Sequence, residues 1–103
     1  ETNSFQISSI AKNVLFEFTA YLNLNKNMEI EINGFTDDIG NDIANQLLSE
    51  NRAKAVYDLL VANGLAINRL SYNGYGEQFP RLNNISDKNR AINRRTEFRI
   101  ISQ

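Results

Sequence analysis

The sequence has no cysteine and no histidine among its 103 residues. Without cysteine there is no disulfide framework, no thiolate nucleophile and no thiolate metal ligand. Without histidine, the commonest general base and the commonest zinc ligand are both missing. One proline and five glycines are too few for a disordered chain. No apolar run approaches the roughly 20 residues of a membrane span. What is present is ordinary: 42% hydrophobic and 22% charged residues, in a length that fits one domain over residues 1–103. The chain opens on Glu1 and not on Met, so the expectation is a piece of a longer protein.

The net charge of −1 hides an asymmetry. Residues 1–50 sum to −6, and residues 51–103 sum to +5. A nucleic-acid binder would want one broad basic face, which opposite halves do not supply. Where the two halves meet, a site offers both signs.

Residues 8–24 read as a helix capped by Ser8, with Ile10, Ala11, Val14, Leu15, Phe18, Tyr21 and Leu22 on one stripe. Residues 28–34 alternate, with Met28, Ile30 and Ile32 on one face and Glu29, Glu31 and Asn33 on the other, as a half-buried strand does. A polar loop over 35–42 precedes a second helix over roughly 43–62, ended by Asn63-Gly64. Strands follow at 69–75 and 95–101, separated by a long loop and a short helix from Ser86-Asp87 to about residue 93. In the last strand Thr96, Phe98 and Ile100 share a face. The first two strands flank a whole helix, which predicts a parallel pair.

The second helix carries an oddity. At about 100° per residue, Val56, Leu59 and Leu60 define the core-facing stripe. Asn45, Ser49 and Arg52 fall in that same stripe nearer the N-terminus, with Leu48 at its edge. The outward face carries Glu50 and Lys54, an expected i,i+4 ion pair. An inward arginine is costly unless its guanidinium is paired. The loop Thr36-Asp37-Asp38 lies just upstream, so a carboxylate can reach Arg52 while Asn45 adds an amide. Two readings stay open on this ground: an internal salt bridge tying loop to helix, or a pocket shaped for a zwitterion. In the second, a guanidinium fork reads a carboxylate and an aspartate takes an ammonium.

The motifs Gly34-Phe35-Thr36-Asp37-Asp38-Ile39-Gly40 and Asn45-Gln46-Leu47-Leu48-Ser49-Glu50-Asn51-Arg52-Ala53 run on to Val56, Leu60, Gly64, Gly74-Tyr75-Gly76-Glu77, Pro80 and Asn83. They end in Asn89-Arg90-Ala91-Ile92-Asn93-Arg94-Arg95-Thr96-Glu97. Over about residues 7–101 this order resembles the OmpA-like peptidoglycan-binding domain family. The resemblance implies an α+β two-layer sandwich with βαβαβ(α)β topology and sheet order 1-4-2-3, the last strand antiparallel. The family begins with a strand before its first helix, and residues 1–4 look like the run just after it. Three strands are therefore expected: residues 95–101 beside 28–34 beside 69–75, with the helices on one face.

The resemblance also implies function. The family binds the stem peptide of peptidoglycan non-covalently through meso-diaminopimelate, anchoring a larger outer-membrane or periplasmic protein to the cell wall. The family aspartate that meets the diaminopimelate ammonium falls on Asp37, and the arginine that meets its carboxylate falls on Arg52. Asn45 carries the family asparagine, Leu48 a wall of the pocket, and Thr36 and Ile39 the loop backbone beside the ligand. A further family asparagine falls on Asn3. No catalytic residue, metal, cofactor, nucleic acid or direct membrane insertion is implied, and the location is the periplasm, at the outer membrane. Two alternatives stand beside this reading: a scaffold or dimerisation domain with an internal Asp37–Arg52 bridge, and a carboxylate-dependent cell-wall hydrolase.

Phe35 stands where the family often has histidine, and Asp38 where it often has asparagine, which makes the pocket more acidic. Arg90, Arg94 and Arg95 read as partners of acids such as Glu77 or Glu97, or of helix ends. Tyr72, Tyr75 and Phe79 read as packing around strand and loop.

Overall fold

The computed structural model describes residues 7–38, 41–78, 86, 88 and 93–102. The elements in chain order are α1 (Ser9–Leu24), β1 (Glu29–Gly34), α2 (Asp42–Ala62), a 3-10 turn (Ile67–Arg69), β2 (Leu70–Gly74) and β3 (Thr96–Ser102). The expected short helix over 86–93 falls mostly outside the described residues, as does Phe79.

Local chemistry accounts for the helix ends. Ser8 Oγ accepts from the Ala11 amide at 3.1 Å, as an N-cap should. Asn41 Oδ1 does the same for Ala44 at 2.7 Å, so α2 starts one residue earlier than its apolar pattern suggests. The C-terminal end of α1 is closed by a distant cation. Arg69 donates from Nη2 to the carbonyls of Leu22 and Asn25 at 2.7 and 2.8 Å, and from Nε to Met28 at 3.1 Å. Positive charge there also complements the helix dipole.

The sheet runs β2-β1-β3, with β1 parallel to β2 and antiparallel to β3. This is the expected three-strand arrangement, and the α+β sandwich class holds. Register places Ile30 and Ile32 beside Leu70 and Tyr72 on one side and Ile100 and Phe98 on the other. All six face the helices. Phe18 of α1 packs on Phe98 at 4.8 Å between ring centroids, and Tyr57 of α2 on Tyr72 at 5.1 Å. Leu15, Leu22, Met28, Ile30, Ile32, Ala53, Val56, Leu60 and Leu65 form the buried core between the layers. The opposite face is polar, and there Arg99 Nε meets Glu31 Oε1 at 3.1 Å.

The inward face of α2 turns from apolar to polar for a physical reason. Gly34 and Gly74 are register partners at the C-terminal ends of β1 and β2. Together they make a patch of sheet without side chains, and the first half of α2 settles onto bare backbone. A Cβ on Gly34 would run into the Ser49 carbonyl, and one on Gly74 into the Glu50 amide and the Ser49 side chain. Small Ser49 fits this floor, fully buried, with Oγ donating to the Gln46 carbonyl and accepting from the Gly76 amide, both at 2.8 Å.

The outward face differs from expectation. Lys54 Nζ pairs with Asp58 at 2.8 Å, while Glu50 accepts from Gln46 Nε2 at 3.1 Å. Lys54 has an acid one turn away in each direction, and Gln46 competes for Glu50. The exposed Lys54–Asp58 pair contributes little to stability.

The glycine floor predicts that Gly34→Ala forces α2 off the sheet and costs about 2–3 kcal/mol through overpacking. Urea unfolding checks this through a lower midpoint at unchanged slope. A midpoint equal to the parent's would contradict the close approach.

Candidate functional site

The chain leaving β1 stays buried. Phe35, Thr36 and Asp37 are 6%, 3% and 1% exposed, although they belong to no strand. Their backbone is held from both neighbours. The Phe35 amide donates to the Arg95 carbonyl at 2.8 Å, and the Thr36 amide to the Gly76 carbonyl at 2.7 Å. Both bonds extend the sheet ladders past their formal ends, which satisfies backbone that burial would otherwise penalise. Phe35 is sandwiched, with Arg95 over its ring at 3.9 Å and Tyr75 stacked at 5.4 Å. That cation–π contact suits an aromatic better than a charged imidazole. Arg95 Nε also meets Glu97 Oε2 at 2.6 Å, one of the acid pairings expected for the arginine cluster.

The side chains converge from three elements. From α2, Asn45 is 5% exposed and donates from Nδ2 to the Asp37 carbonyl and to Glu77 Oε2, both at 3.4 Å. Two turns on, half-buried Arg52 donates from Nη1 to the Phe35 carbonyl at 3.0 Å. Leu48 lies half-buried between them on the same helix. From just ahead of β3, Arg94 Nη1 donates to Asp37 Oδ2 at 2.7 Å, a short charge-assisted bond. The Asp37 side chain is 2% exposed and that of Arg94 22%. Asp38, by contrast, faces solvent.

Of the residues singled out from the sequence, Asn45 and Arg52 are brought to the 35–37 segment that carries Thr36 and Asp37, while Leu48 is half-buried between them on α2. Ile39 and Asn3 lie outside the described residues. Asp37 and Arg52 feel each other. Burial, and then the Arg94 cation, pull the Arg52 guanidinium below its ordinary value, and the Asp37 carboxylate opposes this. Arg52 remains charged at neutral pH all the same.

Arg94 as the partner of Asp37 is not legible in the sequence, because it depends on the register of β3. An antiparallel β3 that pairs Thr96 with Gly34 brings Arg95 beside Phe35 and Arg94 toward the Asp37 loop. Arg52 and Arg94, though not Asp37, also line a cavity of about 480 Å³, together with Val14, Leu15, Val56 and Phe98. One buried carboxylate and two guanidiniums can hold a ligand that carries both an ammonium and a carboxylate.

The sequence pattern of the OmpA family matches residues 1–94. The chain belongs to the OmpA family. Among relatives, outer membrane porin F of Pseudomonas fluorescens is 43% identical over 74 residues, which covers 72% of this chain and 23% of the porin. Peptidoglycan-binding protein ArfA of Mycobacterium tuberculosis is 43% identical over 69 residues, 67% of this chain and 21% of that protein. The chain thus spans about a fifth of the length of these curated relatives. The C-terminal domain of Helicobacter pylori MotB superposes with a TM-score of 0.93 at 28% identity, covering 100% of this chain and 81% of that one. The peptidoglycan-associated lipoprotein of Burkholderia pseudomallei shares the fold, with a TM-score of 0.92 at 24% identity over 100% of this chain and 86% of that one.

One residue of the segment after β1 stands out in stability terms. Among the described residues, the buried Thr36 hydroxyl has no hydrogen-bond partner. Replacing it by an isosteric methyl removes a desolvated polar group, so Thr36→Val is expected to raise stability by about 1 kcal/mol. Thermal unfolding reads this directly. A loss of similar size would mean that the hydroxyl is satisfied in solution.

Proposed function

We propose that this OmpA-family domain binds peptidoglycan non-covalently, through diaminopimelate in the stem peptide. In doing so it anchors a larger outer-membrane or periplasmic protein to the cell wall. The observation that carries the reading is buried Asp37, its side chain 2% exposed, in the same segment whose Phe35 carbonyl takes the Arg52 guanidinium. Buried charges placed together at a sheet end mark functional sites more often than chance. Family membership and a peptidoglycan-binding relative support the same ligand class.

The mechanism is recognition by charge pairing, without chemistry on the ligand. Asp37 receives the ammonium, and the Arg52 fork receives the neighbouring carboxylate. Asn45 fixes the loop that carries Asp37, and Leu48 walls the aliphatic part of the ligand. Thr36 places loop backbone beside it, while Ile39 and Asn3, which lie outside the described residues, are assigned to the ligand by the family resemblance alone. The domain works in the periplasm, and it has neither the histidine nor the cysteine of common amidase chemistry. One observation favours a second reading, a scaffold domain: Asp37 already has an internal partner in Arg94.

Co-sedimentation with purified peptidoglycan separates the readings. Arg52→Gln and Asp37→Asn are expected to abolish sedimentation while circular dichroism shows both folded, and added salt should weaken the parent's binding. Asp37→Asn keeps the shape and an acceptor for Arg94, so it is preferable to alanine at a buried position. Undiminished binding by both folded variants would refute the site. Release of soluble fragments from the wall would instead mark a hydrolase.

A further inference from the structure

The outward face of α2 carries apolar side chains that the fold leaves uncovered. Ile43 and Leu47 stand 85% and 58% exposed there, one turn apart. Glu50, Lys54, Tyr57 and Val61 continue the same line, so the residues recur at alternating four- and three-residue steps. That spacing keeps one seam along a helix, and it is the pattern by which one helix takes another. At about 1.5 Å per residue, the seam from Ile43 to Val61 runs most of the length of α2. Glu50 and Lys54 are exposed, while Tyr57 and Val61 are half-buried. Beside Ile43 and Leu47 a cavity of about 530 Å³ opens toward Gln78.

We propose that this face binds a second copy of the chain, with the two α2 helices antiparallel across a two-fold axis level with residue 52. In that orientation the seam matches itself. Ile43 meets the partner's Val61, Leu47 meets the partner's Tyr57, and Glu50 meets the partner's Lys54, each pairing occurring twice. Apolar contacts then close both ends of the seam, and two ion pairs sit at its centre. A parallel dimer would instead set Glu50 against Glu50 and Lys54 against Lys54, which like-charge repulsion disfavours. The cavity beside Ile43 and Leu47 receives the Val61 end of the partner helix. Within one chain, Glu50 accepts from Gln46 and Lys54 donates to Asp58, both on the surface. Exchanging such exposed contacts for pairs between copies costs little. Charges inside an apolar seam fix register and orientation at a cost in stability. One helix pair is also a small interface, so the dimer is weak and reversible. Asn45 and Arg52 lie on the opposite side of α2 and reach the segment after β1. The pairing therefore leaves that segment open in both copies. It does not rest on the stem-peptide reading, but a dimer would give a wall-binding domain two sites acting together.

Sedimentation velocity on the whole chain, over rising concentration, tests this. A reversible monomer–dimer equilibrium is expected, and a chain that stays monomeric up to about 1 mM overturns the proposal. Glu50→Lys and Lys54→Glu each bring like charges together, and each is expected to weaken the dimer at least about tenfold. The double variant, with the two charges exchanged, restores the pairs and should return to within about threefold of the parent. A dimer built on another surface ignores the single variants, and that result overturns the proposal. So does a double variant no better than the singles. Both residues are exposed, so the variants are expected to keep the fold, which circular dichroism checks. Should one fail to fold, cysteine pairing decides independently. The chain has no cysteine, so Ile43→Cys and Val61→Cys each carry a single thiol. Mild oxidation of the two variants mixed is expected to give a disulfide-linked dimer, and oxidation of either alone is not. A disulfide between two copies of Ile43→Cys, or none in the mixture, overturns the antiparallel seam.

Discussion

The close approach of α2 to the sheet governs both the fold and the site. It depends on two glycines side by side, Gly34 and Gly74, at the C-terminal ends of adjacent parallel strands. With no side chains between helix and sheet, polar atoms of α2 reach backbone directly. Ser49 bonds the Gly76 amide, Gln46 Nε2 donates to the Gly74 carbonyl at 2.6 Å, and Arg52 reaches the Phe35 carbonyl. A larger residue at either glycine would separate α2 from the loop that it helps to position. The polar half of the helix is therefore the half that builds the site, and the apolar half, Val56 to Leu60, seals the core.

The second constraint is electrostatic. Asp37 is removed from water, and a buried carboxylate needs compensating charge and hydrogen bonds. These come from elements distant in sequence: Arg94 ahead of β3, and Arg52 of α2, whose charge Asp37 favours. The opposing charges of the two halves of the chain meet here, at the end of β1. Near-neutrality of the whole chain is a by-product; the specific cations facing Asp37 are what matter.

Much of this was legible in the sequence, for reasons that can be named. Strand alternation over 28–34 and the apolar stripe of residues 8–24 are local patterns, and the observed elements Glu29–Gly34 and Ser9–Leu24 follow them closely. The inward placement of Asn45, Ser49 and Arg52 followed from helix phase alone. Its cause did not, because the glycine floor exists only once β1 and β2 are in register. Arg94 was hidden for the same reason: it lies 57 residues from Asp37 and becomes its neighbour only through antiparallel pairing. The capping of α1 by Arg69 is likewise non-local. The Glu50–Lys54 pair failed differently. Exposed ion pairs are weak, and Lys54 had two equivalent acids within reach.

The central claim is that Asp37 and Arg52 act together on one ligand. Nuclear magnetic resonance can follow the side-chain carboxyl carbon of Asp37 and the guanidinium nitrogens of Arg52 while a diaminopimelate stem peptide is added. The account predicts that both signals shift and saturate along one binding curve. Saturable binding that leaves both unmoved, with shifts elsewhere in the domain, would contradict it.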